Sequence, residues 1–398
     1  MTELDRVRAD VEALAAMERG SASPGEVAAA EWGAGRLAEA GAGDVQVERF
    51  RYQRTIAERS VPHLAAGIAA ARAGGRAGAA LALAALASFE LDFGGRSQWL
   101  RRIVPSGEGA NSTARVPAAG EPRRTLVLVA HHDTTHTGIG WQNPELIGIG
   151  TGDRLRELLG REPEPDVMDS PATAPKLAFA AVAVGCLAGR RVKGPAAALR
   201  ATGAASLAAA LALALDVARS PSVPGASDNA TGVAAVLAMV ERFAAEPLPG
   251  TDVIAVLTGC EESGMGGMAE WLRTEGARLD PATTLVLGLD TLGAGEPIVA
   301  RAEGSIRPWR YRDADLDIAD RGAARAGVEP PRRVQLGGWT DPLLAVHAGL
   351  PTISLLSARG NRFTNYHQPT DTPDRVDWDS VGACLRCAYG TAEEWAAG

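Results

Sequence analysis

Aromatic residues are scarce in this 398-residue chain, at 5%. Its core must therefore be packed from small aliphatic side chains. Hydrophobic residues make up 46%, enough for one large domain or two ordinary ones and against disorder. Cysteines are few: Cys186, Cys260, Cys384 and Cys387. They do not make a disulfide framework and fit a reducing compartment. Cys384 and Cys387 form a C-x-x-C without a second such pair. It reads as two helix positions one turn apart rather than half a zinc knuckle. Basic tracts are missing as well, and the net charge of −8 argues against a nucleic-acid partner. The opening Met1-Thr2-Glu3-Leu4-Asp5-Arg6 is charged and lacks an apolar stretch. No secretory signal peptide is expected, and a cytoplasmic location is.

What is present alternates between two patterns. Residues 3–19 and 24–40 read as amphipathic helices, the second opening on Ser23-Pro24. Residues 45–50 alternate apolar and polar, as a strand does. Four continuous apolar runs, 125–130, 253–257, 285–289 and 352–356, have the length of strands buried on both faces. Helical stretches at 231–246, 266–276 and 314–326 lie between them. Strands alternating with helices predict an α/β fold with helices on both faces of the sheet.

Two regions break this pattern. Residues 61–71 and 77–89 are short apolar runs joined by Arg72-Ala73-Gly74-Gly75-Arg76. Residues 134–220 begin polar, with a short helix at 153–159. They continue as apolar runs at 177–189 and 201–215, joined by the basic turn Arg190–Pro195. Both read as Ala-rich helical hairpins with basic tips. A 13-residue run is about 20 Å long as a helix, short of the roughly 30 Å of a bilayer core. The preferred reading is a buried helical subdomain, its hairpins packed on each other or on a second copy in a homo-oligomer. A membrane-surface hairpin pair comes next, and true spanning helices last.

Five short segments carry candidate ligands at strand ends: His131, Asp228, the pair Glu261-Glu262, Asp290 and His367. Each has a plainer explanation alone. A strand-end histidine is usually structural, Asp228 could cap a helix, the glutamates could be solvated, and His367 could be a loop residue. An unpaired carboxylate ending a buried strand, as at Asp290, is costly without a cation. Asp133, two residues after His131, is placed to orient its ring. Open α/β sheets place ligands beyond the carboxyl ends of their strands. Together these segments point to a two-metal hydrolytic site.

The same segments resemble the co-catalytic zinc aminopeptidase family, which includes glutamate carboxypeptidases, glutaminyl cyclases and the peptidase-like domain of the transferrin receptor. Ala130-His131-His132-Asp133 resembles its A-H-x-D, and Ser227–Gly232 its D-D-N-x-S-G. Gly259–Gly264 resembles G-x-E-E-x-G, and Leu287–Gly293 resembles N-L-D-M-x-G. Thr340-Asp341-Pro342 with Ala348–Pro351 resembles S-D-H…G-I-P, and Asn365–Thr372 resembles Y-H-T-x-x-D-T. The likeness covers roughly 1–60, 105–135 and 222–395.

The resemblance implies a three-layer α/β/α architecture around a mixed, mostly parallel sheet of the zinc exopeptidase type, interrupted by the inserted hairpins. The peptidase domain would comprise 1–60, 90–133 and 221–398, and the hairpins 61–89 and 134–220. It implies two zinc ions and a peptide substrate. Asp228 would bridge both ions, with His131 and Asp290 completing one site and Glu262 and His367 the other. Glu261 would be the general base acting on a metal-bridged hydroxide, and Asp133 would support His131. Three departures stand out: His132, the Pro after Asp341, and the long insertion directly after His131, which could roof the site. An aminopeptidase is the main expectation. Glutaminyl-cyclase-like acyl transfer and a membrane-linked, non-catalytic binding protein on the same fold are the alternatives.

Overall fold

The computed structural model describes residues 2–104, 107–162, 164–189 and 193–398. The chain opens with α1 (Glu3–Ala15) and α2 (Pro24–Glu39), capped by Thr2 and Ser23. Then come β1 (Gly43–Tyr52), α3 (Ile56–Ala73), α4 (Gly75–Phe93), β2 (Gly107–Val116) and β3 (Ala119–His131). The long segment after His131 holds α5 (Ile139–Gln142), α6 (Thr151–Leu158), α7 (Thr173–Ala188) and α8 (Lys193–Val217). Next are α9 (Thr231–Ala245), β4 (Pro249–Thr258), α10 (Gly266–Thr274), β5 (Thr284–Leu289), β6 (Glu296–Glu303) and β7 (Trp309–Arg310). The chain ends with α11 (Asp313–Arg325), β8 (Arg332–Leu336), α12 (Pro342–His347), β9 (Thr352–Ala358) and α13 (Trp378–Ala397).

The strands form one sheet in the order β1-β2-β4-β3-β5-β9-β6-β7, with β8 also on β6. The four apolar runs become its centre, β4-β3-β5-β9, where every pairing is parallel. Antiparallel pairs flank this centre on both sides. The pleat sends alternate side chains of β3 to opposite faces. Leu126 and Leu128 join the core under α1, α9 and α13. Val127 and Val129 pack with Met268 and Trp271 of α10 and Leu344 of α12. This is the three-layer α/β/α arrangement expected of the sequence. Strands β2, β6 and β8 had no apolar run to announce them. The buried residues of β2 include Asn111 and Ser112, whose side chains bond to Gly267 O and Ala30 O instead of packing as hydrocarbon. Cys384 and Cys387 both lie buried in α13 as free thiols.

Helices α3, α4, α7 and α8 form a four-helix bundle with its own core of Leu64, Ala82, Phe89, Phe179, Val182 and Leu207. Glycines permit the close approach: a Cβ at Gly67 would meet Phe179 and Leu207, and one at Gly203 would meet Val182. The two hairpins therefore pack on each other. The bundle is not buried as a whole, however. Leu83 of α4, Leu177, Val184 and Leu187 of α7 and Leu199 of α8 are exposed. The helices are also longer than the apolar runs suggested, because polar flanking residues continue each helix. α8 has 25 residues, about 37 Å at 1.5 Å per residue. Among the described residues it alone is long and apolar enough to cross a membrane by length and composition, and 11% of its most apolar window is buried. Of the expected basic turn at 190–195, Arg190, Arg191 and Val192 lie outside the described residues.

Candidate active site

All five predicted ligands meet at the carboxyl end of the parallel centre. β3 ends on His131, the loop after β4 carries Glu261 and Glu262, Asp290 follows β5, and His367 lies on the loop after β9. Asp228 sits in the tight turn Ala226–Ala230 that leads into α9. Its two carboxylate oxygens face different histidines: Oδ1 is 3.2 Å from His131 Nε2, and Oδ2 is 3.3 Å from His367 Nε2. Asp290 Oδ1 lies 3.7 Å from His131 Nε2 on the first side, and Glu262 Oε2 lies 3.0 Å from His367 Nε2 on the second. One donor atom each from His131, Asp228 and Glu262 falls within 4.8 Å of the others.

Side chains that the sequence did not single out hold this constellation. The carboxylate of Asp371 accepts from Ser227 N at 2.9 Å and Asp228 N at 3.0 Å, pinning the turn that presents Asp228. Asn229 ties the same turn to the end of β5, donating to Leu289 O and accepting from Thr291 N. Arg19, fully buried, donates to Pro224 O and Gly225 O just ahead of the turn. Asp371 stood inside the quoted motif without a role, and Arg19, at the end of the first expected helix in the segment Glu18–Ser21 that loosely fits the family, had none either.

Asp133 is beside His131 as expected, but much of its bonding goes elsewhere. His131 Nδ1 is 3.2 Å from the Asp133 carbonyl oxygen and 3.5 Å from Oδ1. The carboxylate accepts from Glu261 N at 3.0 Å, Glu262 N at 3.2 Å and Ser21 Oγ at 2.6 Å. It fixes the loop that carries both glutamates. His132 does not line the cavity, and burial lowers its pKa to about 4, so the ring is neutral. Of the Thr340-Asp341-Pro342 departure, Thr340 donates to Glu303, and Asp341 accepts from Thr258 Oγ1.

The electrostatics show what the donor set fits. Burial disfavours charge on His131, yet Asp133, Asp228 and Asp290 outweigh it and raise its pKa well above the ordinary value. Burial acts likewise on His367, and Glu262 and Asp228 overcome it, lifting it to about 10. Asp228 is held below the usual carboxylate range despite burial, by both imidazoles. Glu262 and Glu261 are pushed up, first by burial. Five carboxylates here, Asp133 included, outnumber two imidazoles, so the cluster lacks positive charge. Asp228 Oδ2, Glu262 Oε1 and both ring nitrogens of His367 are buried without a hydrogen bond. Buried oxygens and imidazole nitrogens aimed at one another without hydrogen-bond geometry are what a divalent cation satisfies. Such a charge would hold both imidazoles neutral and both glutamates ionised. The N/O donor set suits zinc.

The site opens into a cavity of about 220 Å³. Glu261, Glu262 and Asp290 form its floor, and Trp141, Ile149, Arg154 and Met168 from the long insertion line its walls. The insertion therefore covers the site, as its entry point after His131 suggested. The Trp141 ring stands edge-on to His367 at 4.2 Å, and Tyr366 stacks on the same imidazole at 3.7 Å.

Residues 210–392 match the model of Peptidase family M28. No curated protein matches the chain. Solved structures do. An aminopeptidase from Aneurinibacillus sp. strain AM-1 is 12% identical, with a TM-score of 0.56 over 98% of this chain and 93% of that one. BSAP, a zinc aminopeptidase from Bacillus subtilis, is 11% identical with a TM-score of 0.55, covering 98% and 95%. A Bacteroides thetaiotaomicron glutaminyl cyclase, bound to N-acetylhistamine, is 12% identical with a TM-score of 0.55, covering 98% and 97%. At these identities the likeness speaks to the fold, and the family match speaks to the C-terminal half, from within α8 through α13. Residues 210–392 thus resemble peptidase family M28, and with the donor set assembled on that fold the chain is a hydrolase of the metallopeptidase kind.

Proposed function

We propose that this chain is a zinc-dependent exopeptidase, and specifically an aminopeptidase, working with two zinc ions. The observation that carries the reading is the two-sided position of Asp228, one oxygen toward His131 and the other toward His367. His131 and Asp290 would hold one ion, Glu262 and His367 the other, with Asp228 shared. Bound zinc supplies Lewis acidity and lowers the pKa of water. Glu261 lines the cavity floor with its backbone fixed by Asp133. It would accept the proton of the attacking water as the C–O bond forms, then pass it to the amine nitrogen as the C–N bond breaks. Asp133 acts as a positioning residue for this loop and for His131.

The test is metal analysis together with a library of N-blocked and unblocked peptides. Two zinc ions per chain and cleavage confined to free amino ends support the proposal. Cleavage of blocked peptides from the carboxyl end would overturn the aminopeptidase part. One ion per chain with cyclisation of N-terminal glutamine would replace it with acyl transfer. Zinc binding without turnover of any peptide would favour a non-catalytic role.

The bundle belongs to the same proposal: its flank contacts an anionic lipid bilayer. Exposed contiguous apolar surface is uncommon on soluble monomers, and the exposed Leu and Val side chains here lie on three adjoining helices. Cations collect at the free end: Arg72, Arg76 and Lys193, with the Arg200 guanidinium lying over the α3–α4 turn at Gly74. Contact through small residues, as at Gly67 and Gly203, is how helices associate within lipid. Flotation with vesicles containing about one-third phosphatidylserine should carry the protein upward, and Leu83→Glu with Leu187→Glu should abolish this. Absence of flotation, together with a concentration-dependent dimer that Leu187→Glu dissolves, would assign the flank to a second copy.

A further inference from the structure

Beside the catalytic cavity lies a second one of about 320 Å³, at the base of the bundle. Its lining comes from α3, α4, α8 and the start of α7, including Leu64, Phe89, Ala210 and Leu213. No charged side chain lines it, and its polar side-chain groups are the hydroxyls of Ser60 and Ser206 and the indoles of Trp141 and Trp339. Ser60 Oγ already donates to Ile56 O at 2.7 Å. Away from the tryptophans the wall offers almost no hydrogen-bonding group, so an occupant is hydrocarbon there, and the unpaired polar group, Trp339 Nε1, stands at the boundary with the catalytic cavity. The space exists because Ala172, Ala209, Ala210 and Ala214 stand where a larger apolar residue would fill it. At this volume it is of ligand size.

The two cavities share Trp141, Pro171 and Trp339. Trp141 is also the residue set edge-on to His367. The catalytic side mixes carboxylates and Arg154 with apolar residues such as Ile149 and Met168, and the other side is aliphatic and aromatic without a charge. Two adjoining chambers, one holding the candidate metal ligands and the other uncharged, fit a single amphiphile whose amide sits at the metal ligands and whose tail crosses the tryptophans. We infer that this enzyme takes amide substrates bearing a long aliphatic chain, lodged between α3 and α8 while the amide is hydrolysed. This deepens the exopeptidase reading and rests on it. The reaction is simple hydrolysis: water adds to the carbonyl, the C–N bond breaks, and a carboxylate and an amine leave. An aminopeptidase needs a free amino end on the acyl side, which puts the tail on the leaving amine; the other placement, on the acyl group, belongs to a carboxyl-end exopeptidase.

Both placements are tested with the zinc-loaded full chain. One arm is N-acyl-leucines from acetyl to dodecanoyl, the other leucine N-alkylamides from methyl to dodecyl. The expected result is a rise of at least 10-fold in kcat/KM with chain length in the alkylamide arm, whose amino end is free; a rise in the acyl arm instead keeps the tail site and overturns the aminopeptidase part of the reading. Ala210→Trp and Leu213→Trp, which fill the cavity, should bring the long-to-short ratio back to about one. A flat length dependence in both arms, with short substrates cleaved, overturns the inference and leaves the exopeptidase reading standing. If nothing is cleaved, binding of a fluorescent undecanoate probe decides. Saturable binding lost in Ala210→Trp keeps the tail site and removes the peptidase reading, and no binding removes the tail site.

Discussion

Asp371 should matter more than its distance from the chemistry suggests. Its two oxygens accept from consecutive backbone N–H groups, Ser227 N and Asp228 N, in a site only 2% exposed. Replacing it by Asn keeps one acceptor and turns an NH₂ group toward a backbone donor. One charge-assisted hydrogen bond is lost, which costs about 1.5–3 kcal/mol, and a buried N–H is left unpaired. Asp228 is the residue presented by that turn. If the loss is expressed there, zinc affinity and kcat/KM should fall about 10- to 100-fold, at about 1.4 kcal/mol per decade. Zinc affinity would be read by chelator competition and kcat/KM on a leucyl peptide, with thermal melting as the check on folding. Thr370→Ala, an exposed neighbour, is the control. An Asp371→Asn protein that folds, binds zinc like the wild type and retains kcat/KM within about twofold would refute the idea that this carboxylate sets the bridging ligand.

Glu261→Gln should lower kcat by about 100-fold or more while zinc stays bound, because it removes the proton acceptor and no ligand; near-normal turnover would remove Glu261 from the mechanism. Burial pushes the Glu303 carboxyl up to about 7, even though Tyr311 and Thr340 donate to it. The native state thus holds a proton that the unfolded chain releases near 4.5. Stability from this group is full below pH 4.5 and declines through pH 7, by about 3 kcal/mol. Denaturant titrations should show Glu303→Gln with a flatter decline over that range than the wild type, and equal slopes would reject the assignment. Gly264 has φ +135°, and a Cβ there would collide with the Arg59 guanidinium. Gly264→Ala should therefore depress activity severalfold with less effect on the melting temperature.

The four central strands were legible because they are buried on both faces, which leaves unbroken apolar runs. Their ends were legible for the same reason: a carboxylate or imidazole closing such a run has no bland place to go. The edge strand β1 was legible from its alternation, but its neighbour β2 was not, because it buries Asn111 and Ser112 through hydrogen bonds that no hydropathy pattern records. Asp371 and Arg19 escaped notice because their work is on backbone groups of distant segments, which only the fold brings near. The helices of the bundle were found but measured short, since an apolar run reports the lipid-like part of a helix and not its ends. Asp133 was assigned one task and bonds three further groups, Ser21 Oγ, Glu261 N and Glu262 N, so its loss would loosen the glutamate loop as much as the His131 ring.

The bundle is joined to the catalytic loop by specific contacts at its base. Gly264 follows the two glutamates by two residues, and its carbonyl accepts from Tyr52 Oη at the end of β1 and from Gln98 Nε2 beyond α4. Arg59 of α3 lies against the same glycine and over the Phe93 ring of α4 at 4.2 Å. Trp339 packs on Phe93 at 5.8 Å and lines both cavities. A shift of α3 against α4 would therefore be felt by the loop that bears Glu261 and Glu262, and by the wall between the chambers. Packed interfaces of this kind pass on displacement because they resist compression. Vesicles that hold the bundle should then change kcat/KM on short peptides in the wild type. The same vesicles should leave a Leu83→Glu, Leu187→Glu protein unaffected. Equal response of both proteins would mean that the bundle only tethers the enzyme and that the contacts at Gly264 serve stability alone.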